Sequence, residues 1–171
     1  MPAALTPALF TLVVVAVTMI GETCISTRNE RALRARGALE PGRDVYPLMQ
    51  VVYPLSFVAI AIEGALFGVA SPVLLIIAVA LFVVAKLLKY WAIATLGDRW
   101  TFRVLVPVGE PLVARGPYRW LSHPNYVAVV GELLAVATMM RSVVAGPVAL
   151  VGFGVLIAKR IAVENRALGR L

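Results

Sequence analysis

The chain carries a single cysteine and a single histidine, and these two scarcities remove several chemistries together. Cys24 has no second thiol to meet, so no intrachain disulfide can form. His123 stands alone, which argues against a histidine-rich metal site, and no metal is expected. Charge is scarce as well, at 15% of residues, where a soluble domain carries about a quarter. Within that small set, acidic residues number 9 against 16 basic ones. No basic residue precedes the first apolar block, so that block is a poor cleavable signal peptide and is read as a retained span. The final Leu-Gly-Arg-Leu is no prenylation signal.

What is abundant is hydrophobic sequence, 61% of the chain, gathered into long blocks. A membrane span needs ~20 mostly apolar residues. Five blocks qualify, at about residues 5–24, 45–68, 72–96, 124–140 and 143–162, the fourth being the shortest. The fold class is therefore an all-α integral membrane protein of five transmembrane helices, one domain over residues 1–171. Basic residues mark cytoplasmic loops. Arg28, Arg31, Arg34, Arg36 and Arg43 fill the first loop, while the second has none. Arg99, Arg103, Arg115 and Arg119 fill the third, the fourth turn has only Arg141, and the tail carries Lys159, Arg160, Arg166 and Arg170. This alternation predicts an outside N-terminus and a cytoplasmic C-terminus. The net charge of +7 then reads as orientation and contact with anionic headgroups. No soluble basic domain exists, so nucleic acid is not an expected partner; the lipid bilayer is.

Along the chain, residues 28–43 are expected to form a short interfacial helix ending near Gly37, before a turn at Pro41 and Gly42. Pro47 and Pro54 are expected to kink the second span. Lys86 and Lys89, late in the third, are expected to snorkel to the interface. Residues 97–118 make an irregular cytoplasmic connector, with strand-like composition at 101–106. Spans four and five are separated by almost nothing around Arg141 and Ser142 and must form a tight hairpin. Gly146, Gly152 and Gly154 are expected to permit close helix contact there.

That hairpin brings two polar segments together. One is residues 116–126, Gly-Pro-Tyr-Arg-Trp-Leu-Ser-His-Pro-Asn-Tyr; the other is residues 160–165, Arg-Ile-Ala-Val-Glu-Asn. Arg160 and Glu164 share a helix face. Taken singly, each feature has a plain reading. Arg160 and Glu164 would be a surface ion pair worth a few tenths of a kcal/mol. His123 would be structural, and Tyr118, Trp120 and Tyr126 an interfacial aromatic belt. Glu132, inside the fourth span, is a functional candidate because an ionisable group there is costly. It would pair with Lys86 or Lys89, take a proton from a hydroxyl, or serve as a structural contact between helices. Glu63, near the outer end of its span, is a weaker candidate.

Together the segments resemble the isoprenylcysteine carboxyl methyltransferase family and related membrane methyltransferases. That signature has Gly-x-Tyr followed by Arg-His-Pro-x-Tyr, with Leu-Val upstream, here Leu112 and Val113. Arg160 and Glu164 match its Arg-x-x-x-Glu. The resemblance covers roughly residues 96–168. It implies S-adenosyl-L-methionine as cofactor, held by Glu110, Pro111, Leu112, Val113, Tyr118, His123, Pro124, Asn125, Tyr126 and Glu164. It implies that Arg160 faces the acceptor and that Arg160 and Glu164 serve catalysis; Glu132 joins them as a catalytic candidate only from its place in the span. Ser122 and Asn165 depart from the pattern, standing where Arg and a second Glu are usual. No Gly-x-Gly-x-x-Gly exists, which excludes a soluble Rossmann methyltransferase.

The expected reaction is methyl transfer to a carboxylate or phenol oxygen of a lipophilic or prenylated acceptor. The Ala-, Val- and Arg-rich composition suits a bacterial inner membrane, with the site facing the cytoplasm. Two other readings stay open: a non-enzymatic helical membrane protein such as a small transporter or scaffold, and a nicotinamide-dependent reductase of similar architecture.

Overall fold

The computed structural model describes residues 4–42, 44–107, 109 and 111–169. Five α-helices form one bundle: α1 Leu5–Ala35, α2 Tyr46–Phe67, α3 Pro72–Leu96, α4 Pro124–Met139 and α5 Ala145–Ala167. Single 3₁₀ turns at Gly97–Arg99 and Gly116–Arg119 punctuate the long connector between α3 and α4. The helix limits follow from local chemistry. Pro72 and Pro124 open α3 and α4 at the first helical position, where a missing N–H is harmless. Gly68 and Gly97 close α2 and α3 at positive φ, 98° and 60°, a region that costs a residue without Cβ little.

Among the described residues, four helices are long and apolar enough to cross a membrane. The fourth expected span differs: α4 has 16 residues, roughly 24 Å of helix, short of a ~30 Å hydrocarbon core. It lies in the middle of the bundle instead, packed chiefly on α3 and α5. Phe57, Ile60, Leu133, Val136 and Met140 make its dry centre. Outward, Phe10, Leu66, Phe67, Ile76 and Val151 stay largely exposed, so the periphery is apolar, as an integral membrane protein requires. Close approach is bought by small residues. A Cβ on Gly64 would meet Met140, on Gly131 would meet Ala85, and on Gly146 would meet Ala137, all at 3.0 Å or less. Gly152 and Gly154, expected at the same seam, have nothing within 4 Å and face outward.

Several expectations are corrected. No separate interfacial helix follows the first span. Residues 24–35 contain no breaker, so α1 runs on as one helix and stops at Gly37, φ 81°. Pro47 does not kink α2, because it sits in the first turn; only Pro54 lies inside the helix. Residues 101–106 form no strand. Their one sheet-like contact is an isolated bridge between Leu39 and Val106, since no neighbouring strand is there to extend it. Lys86 and Lys89 do not snorkel outward, as described below.

The α4–α5 hairpin is as tight as expected. Arg141 takes φ 48°, and Ser142 N–H returns to Ala137 O at 2.9 Å. Glu63 then covers the start of α5. Its carboxylate accepts the N–H groups of Val143, Val144 and Ala145, at 2.8, 3.0 and 2.7 Å, and the Ser142 hydroxyl. A carboxylate from another helix thus satisfies amides that a helix start leaves open.

Candidate functional site

At the opposite end of the bundle from Glu63, the connector folds back over the helix ends. The part of α1 beyond Ile25 is what holds it. Asn29 donates to the Gly97 and Trp100 carbonyls at 3.0 and 2.8 Å. The Ser26 hydroxyl accepts the Phe102 N–H at 2.8 Å and donates to Glu30. Beyond Gly37, Glu40 ties the segment between α1 and α2 to α1 through Arg34 and to the connector through Arg103. Burial works against the Glu40 charge, but the two guanidinium donors outweigh it and hold its carboxyl below the usual range. The same contact holds the Arg103 guanidinium above its ordinary value.

Under this cover lies a cavity of about 490 Å³, within the ~300–1,000 Å³ of small-molecule sites. Its outer wall is the motif segment. Gly116 turns at φ 56°, and a Cβ there would strike the Thr95 hydroxyl at 2.3 Å. That contact seats Pro117 and Tyr118 against the end of α3. Burial, helped by the charge of Glu164, pushes the Tyr118 phenol up, so it is a hydrogen-bond donor at neutral pH. His123 then ends the extended approach, and α4 starts with Asn125 and Tyr126 on the cavity side.

The two distant motif segments meet as expected. His123 Nδ1 lies 3.0 Å from Glu164 Oε2, and the Tyr126 hydroxyl donates to Glu164 Oε1. The His123 and Tyr126 rings stack at 5.6 Å. Arg160 Nε reaches the Tyr126 oxygen at 3.2 Å and Glu164 Oε1 at 3.4 Å. Glu164 is therefore a fixed carboxylate rather than a solvated one. Asn125 Oδ1 is buried and has no partner among the described residues, although it belongs to a side chain of the cavity wall. A buried acceptor without a donor is rare and calls for an explanation.

Pro111, Leu112 and Val113 line the open rim of the cavity. Pro124 does not line it; it is fully buried at the first position of α4. Glu110 lies outside the described residues. Arg160 lines the cavity but is 3% exposed. Its Nη1 holds Asp44 at 2.6 Å, its Nη2 donates to the Phe102 carbonyl, and its face covers Tyr46 at 5.4 Å. An anionic acceptor would reach this guanidinium only by displacing Asp44 or Phe102.

Glu132 lies deeper. It faces Lys86 at 3.1 Å and Lys89 at 2.8 Å, and both lysines also meet Glu22 of α1, at 2.8 and 3.0 Å. The Tyr53 hydroxyl donates to Glu132 Oε2 at 2.7 Å. Two carboxylates and two ammonium groups, all under a tenth exposed, form a neutral quartet joining α1, α3 and α4. Nothing in the residue pattern singles out Asp44 or Tyr53. Glu22 carries one available signal: it is an acid at the end of an apolar run.

Comparison with known proteins agrees with the motif. The sequence model of the isoprenylcysteine carboxyl methyltransferase (ICMT) family matches residues 77–170. A Bacillus subtilis protein, YpbQ, described as uncharacterized, is 30% identical over 86% of this chain and 88% of its own length. An uncharacterized Haemophilus influenzae protein is 24% identical over 86% of each chain. No solved structure gives a significant match.

Proposed function

The chain belongs to the isoprenylcysteine carboxyl methyltransferase family, and from that premise we propose that it uses S-adenosyl-L-methionine to methylate an oxygen of a lipophilic acceptor. Family membership makes it a membrane methyltransferase; the donor, the oxygen and the lipid acceptor are our reading. The observation that carries it is the outer wall of the cavity. There a fixed carboxylate, Glu164, lines the same cavity as Tyr118 and as Asn125, whose buried Oδ1 has no partner among the described residues. The donor's amino group and sulfonium need acceptors and negative charge, and its adenine needs N–H partners and flat apolar surface. Glu164 and Asn125 suit the first need. Tyr118 and the open rim at Pro111, Leu112 and Val113 suit the second.

When bound, the donor supplies an electrophilic methyl group. The rest falls to this chain. His123 and Tyr126 hold Glu164 in one position. Arg160, itself fixed by Asp44 and Phe102, sets Tyr126 and Glu164 relative to the connector. Tyr46, in contact with the guanidinium groups of both Arg160 and Arg103, helps close the cover. Holding the reactants in line is then the main contribution to rate. A carboxylate acceptor needs no base, whereas a phenol, with a pKa of about 10, gains from one. We place the N-terminus outside and this cavity on the cytoplasmic side of a bacterial inner membrane. The supporting observation is the gathering of Arg34, Arg99, Arg103, Arg115 and Arg119 at the site end.

Titration of purified protein with S-adenosylhomocysteine tests the reading. We expect binding, lost by about tenfold or more in Asn125→Ala and in Glu164→Ala. Protein that binds no S-adenosylhomocysteine, or whose binding ignores both substitutions, refutes it.

A further inference from the structure

Arg160 is shared between two carboxylates. Its Nε reaches Glu164 Oε1 at 3.4 Å, and its Nη1 holds Asp44 Oδ2 at 2.6 Å. Asp44 comes from outside the segment that matches the family, which starts at residue 77. It is itself fixed, since its Oδ1 accepts the Tyr46 N–H at 3.2 Å. Glu164 lines the cavity and Asp44 does not. A residue withdrawn from the cavity thus competes with a residue of its wall for one guanidinium.

Counting charge shows the consequence. Glu22 and Glu132 cancel Lys86 and Lys89. Glu30 and Glu40 cancel Arg34 and Arg103. Asp44, Arg160 and Glu164 do not cancel, because two carboxylates share one guanidinium. Without the Asp44 charge, Arg160 and Glu164 would make a neutral pair. Arg99 donates to the Pro111 carbonyl at the rim, and His123 faces Glu164; what they add is the same with or without that charge.

The imbalance is poorly screened, because the Asp44 side chain is 10% exposed and that of Arg160 4%. Both carboxylates touch one guanidinium, so they stand within roughly 8 Å of each other. A cation bound at Glu164 therefore feels Asp44 as well. At an effective dielectric constant of about 20, a unit charge about 10 Å away still changes affinity by about tenfold.

We infer that Asp44 is a positioning residue that makes the cavity selective for a cationic ligand. By neutralising Arg160 it leaves the Glu164 charge uncompensated, so the site favours the sulfonium donor over its uncharged product. The inference rests on the methyltransferase reading for the identity of these two ligands. In the transfer, a lone pair of the acceptor oxygen makes the new C–O bond. The electron pair of the broken S–C bond stays on sulfur, which becomes a neutral thioether. A carboxylate acceptor ends as an uncharged ester, and a hydroxyl acceptor releases its proton to water. The site's charge thus matches the ligand before transfer and not the one after it, which favours exchange of product for fresh donor.

Calorimetric titration of the full chain in detergent tests this with three ligands that share their adenosine and amino-acid groups. They are S-adenosylmethionine, sinefungin, which carries an ammonium in place of the sulfonium, and S-adenosylhomocysteine. In wild type both cations are expected to bind at least about fivefold tighter than S-adenosylhomocysteine. Asp44→Asn keeps an oxygen for Arg160 and removes the charge. It is expected to cut both preferences by at least about threefold, through weaker binding of the cations. Smaller values of either kind overturn the inference. An equal loss for all three ligands also overturns it, because it would mark Asp44 as merely structural. Should Asp44→Asn not fold, the wild-type preferences decide, since the two cations share the positive charge that S-adenosylhomocysteine lacks. The two readings fail in distinguishable ways. Binding of none of the three refutes the methyl-donor reading and this inference with it. Binding of all three without a preference that depends on Asp44 refutes the inference alone.

Discussion

Glu22 of α1 and Lys86 of α3 stand 64 residues apart in the chain and 2.8 Å apart in the bundle. Each is under a tenth exposed, and each has a second ionic partner, Lys89 or Glu132. Removing one member strands an unpaired charge in a poorly solvated place. Glu22→Gln is therefore expected to destabilise the protein by about 3–5 kcal/mol, and the double variant Glu22→Gln, Lys86→Met to recover roughly half of that. Thermal unfolding in a fixed detergent checks both. A double variant no better than the single one would mean that the charges do not act as a unit.

The Glu63 carboxylate serves the other end. It accepts three backbone N–H groups and one hydroxyl at the α5 start. Glu63→Ala leaves those donors buried and open, with an expected loss of about 2–4 kcal/mol. Because this cluster is remote from the cavity, S-adenosylhomocysteine affinity in the folded fraction is expected to stay within about twofold of wild type. Unfolding curves and ligand titration together separate the two effects.

Gly116 is fixed by space and by backbone at once. Its φ is 56°, and a Cβ would lie 2.3 Å from Thr95 Oγ1. Gly116→Ala is expected to weaken S-adenosylhomocysteine binding by about tenfold or more, through displacement of Tyr118. Adding Thr95→Ala removes the clash but not the backbone strain, so only part of the affinity returns. Full return would mean that space alone selects glycine here.

Glu40 gives the site's cover an acid-sensitive tie. Its folded pKa lies below the unfolded one, so its contribution is fully present above the unfolded value of about 4.3. It fades as pH falls through the folded value. Wild type is thus expected to unfold at higher temperature than Glu40→Gln at pH 6, and the gap is expected to close as the solution is taken below about pH 4. A gap that is constant from pH 6 to below pH 4 would assign the effect to something other than this carboxylate.

Much of the site could be read from residue spacing. A tight turn between α4 and α5 has one geometric consequence: it folds the start of one helix beside the end of the other. That is why His123 and Tyr126 could be expected near Arg160 and Glu164. The Arg160–Glu164 pair itself needed only helical periodicity. Asp44 was illegible, because its meeting with Arg160 spans 116 residues and depends on how the segment after Gly37 crosses the bundle. Lys86 and Lys89 read in the sequence as snorkelling cations, and the structure turns them inward instead. Snorkelling is the default for a lysine near a helix end, and only the rotation of α1 that places Glu22 opposite them overrides it.

The sequence by itself determined an apolar helical protein, the starts of α3 and α4 at their prolines and the motif of its family. Hydrophobic run length, proline and glycine act locally, so neighbours in the chain suffice to read them. Only the tertiary structure decided that α4 lies short and central within the bundle, that Arg160 is already engaged, and that four charges from three helices cancel at the inner wall of the cavity. Each of these depends on which faces of distant helices meet, and a buried charge takes its role from the partner that arrives with the fold.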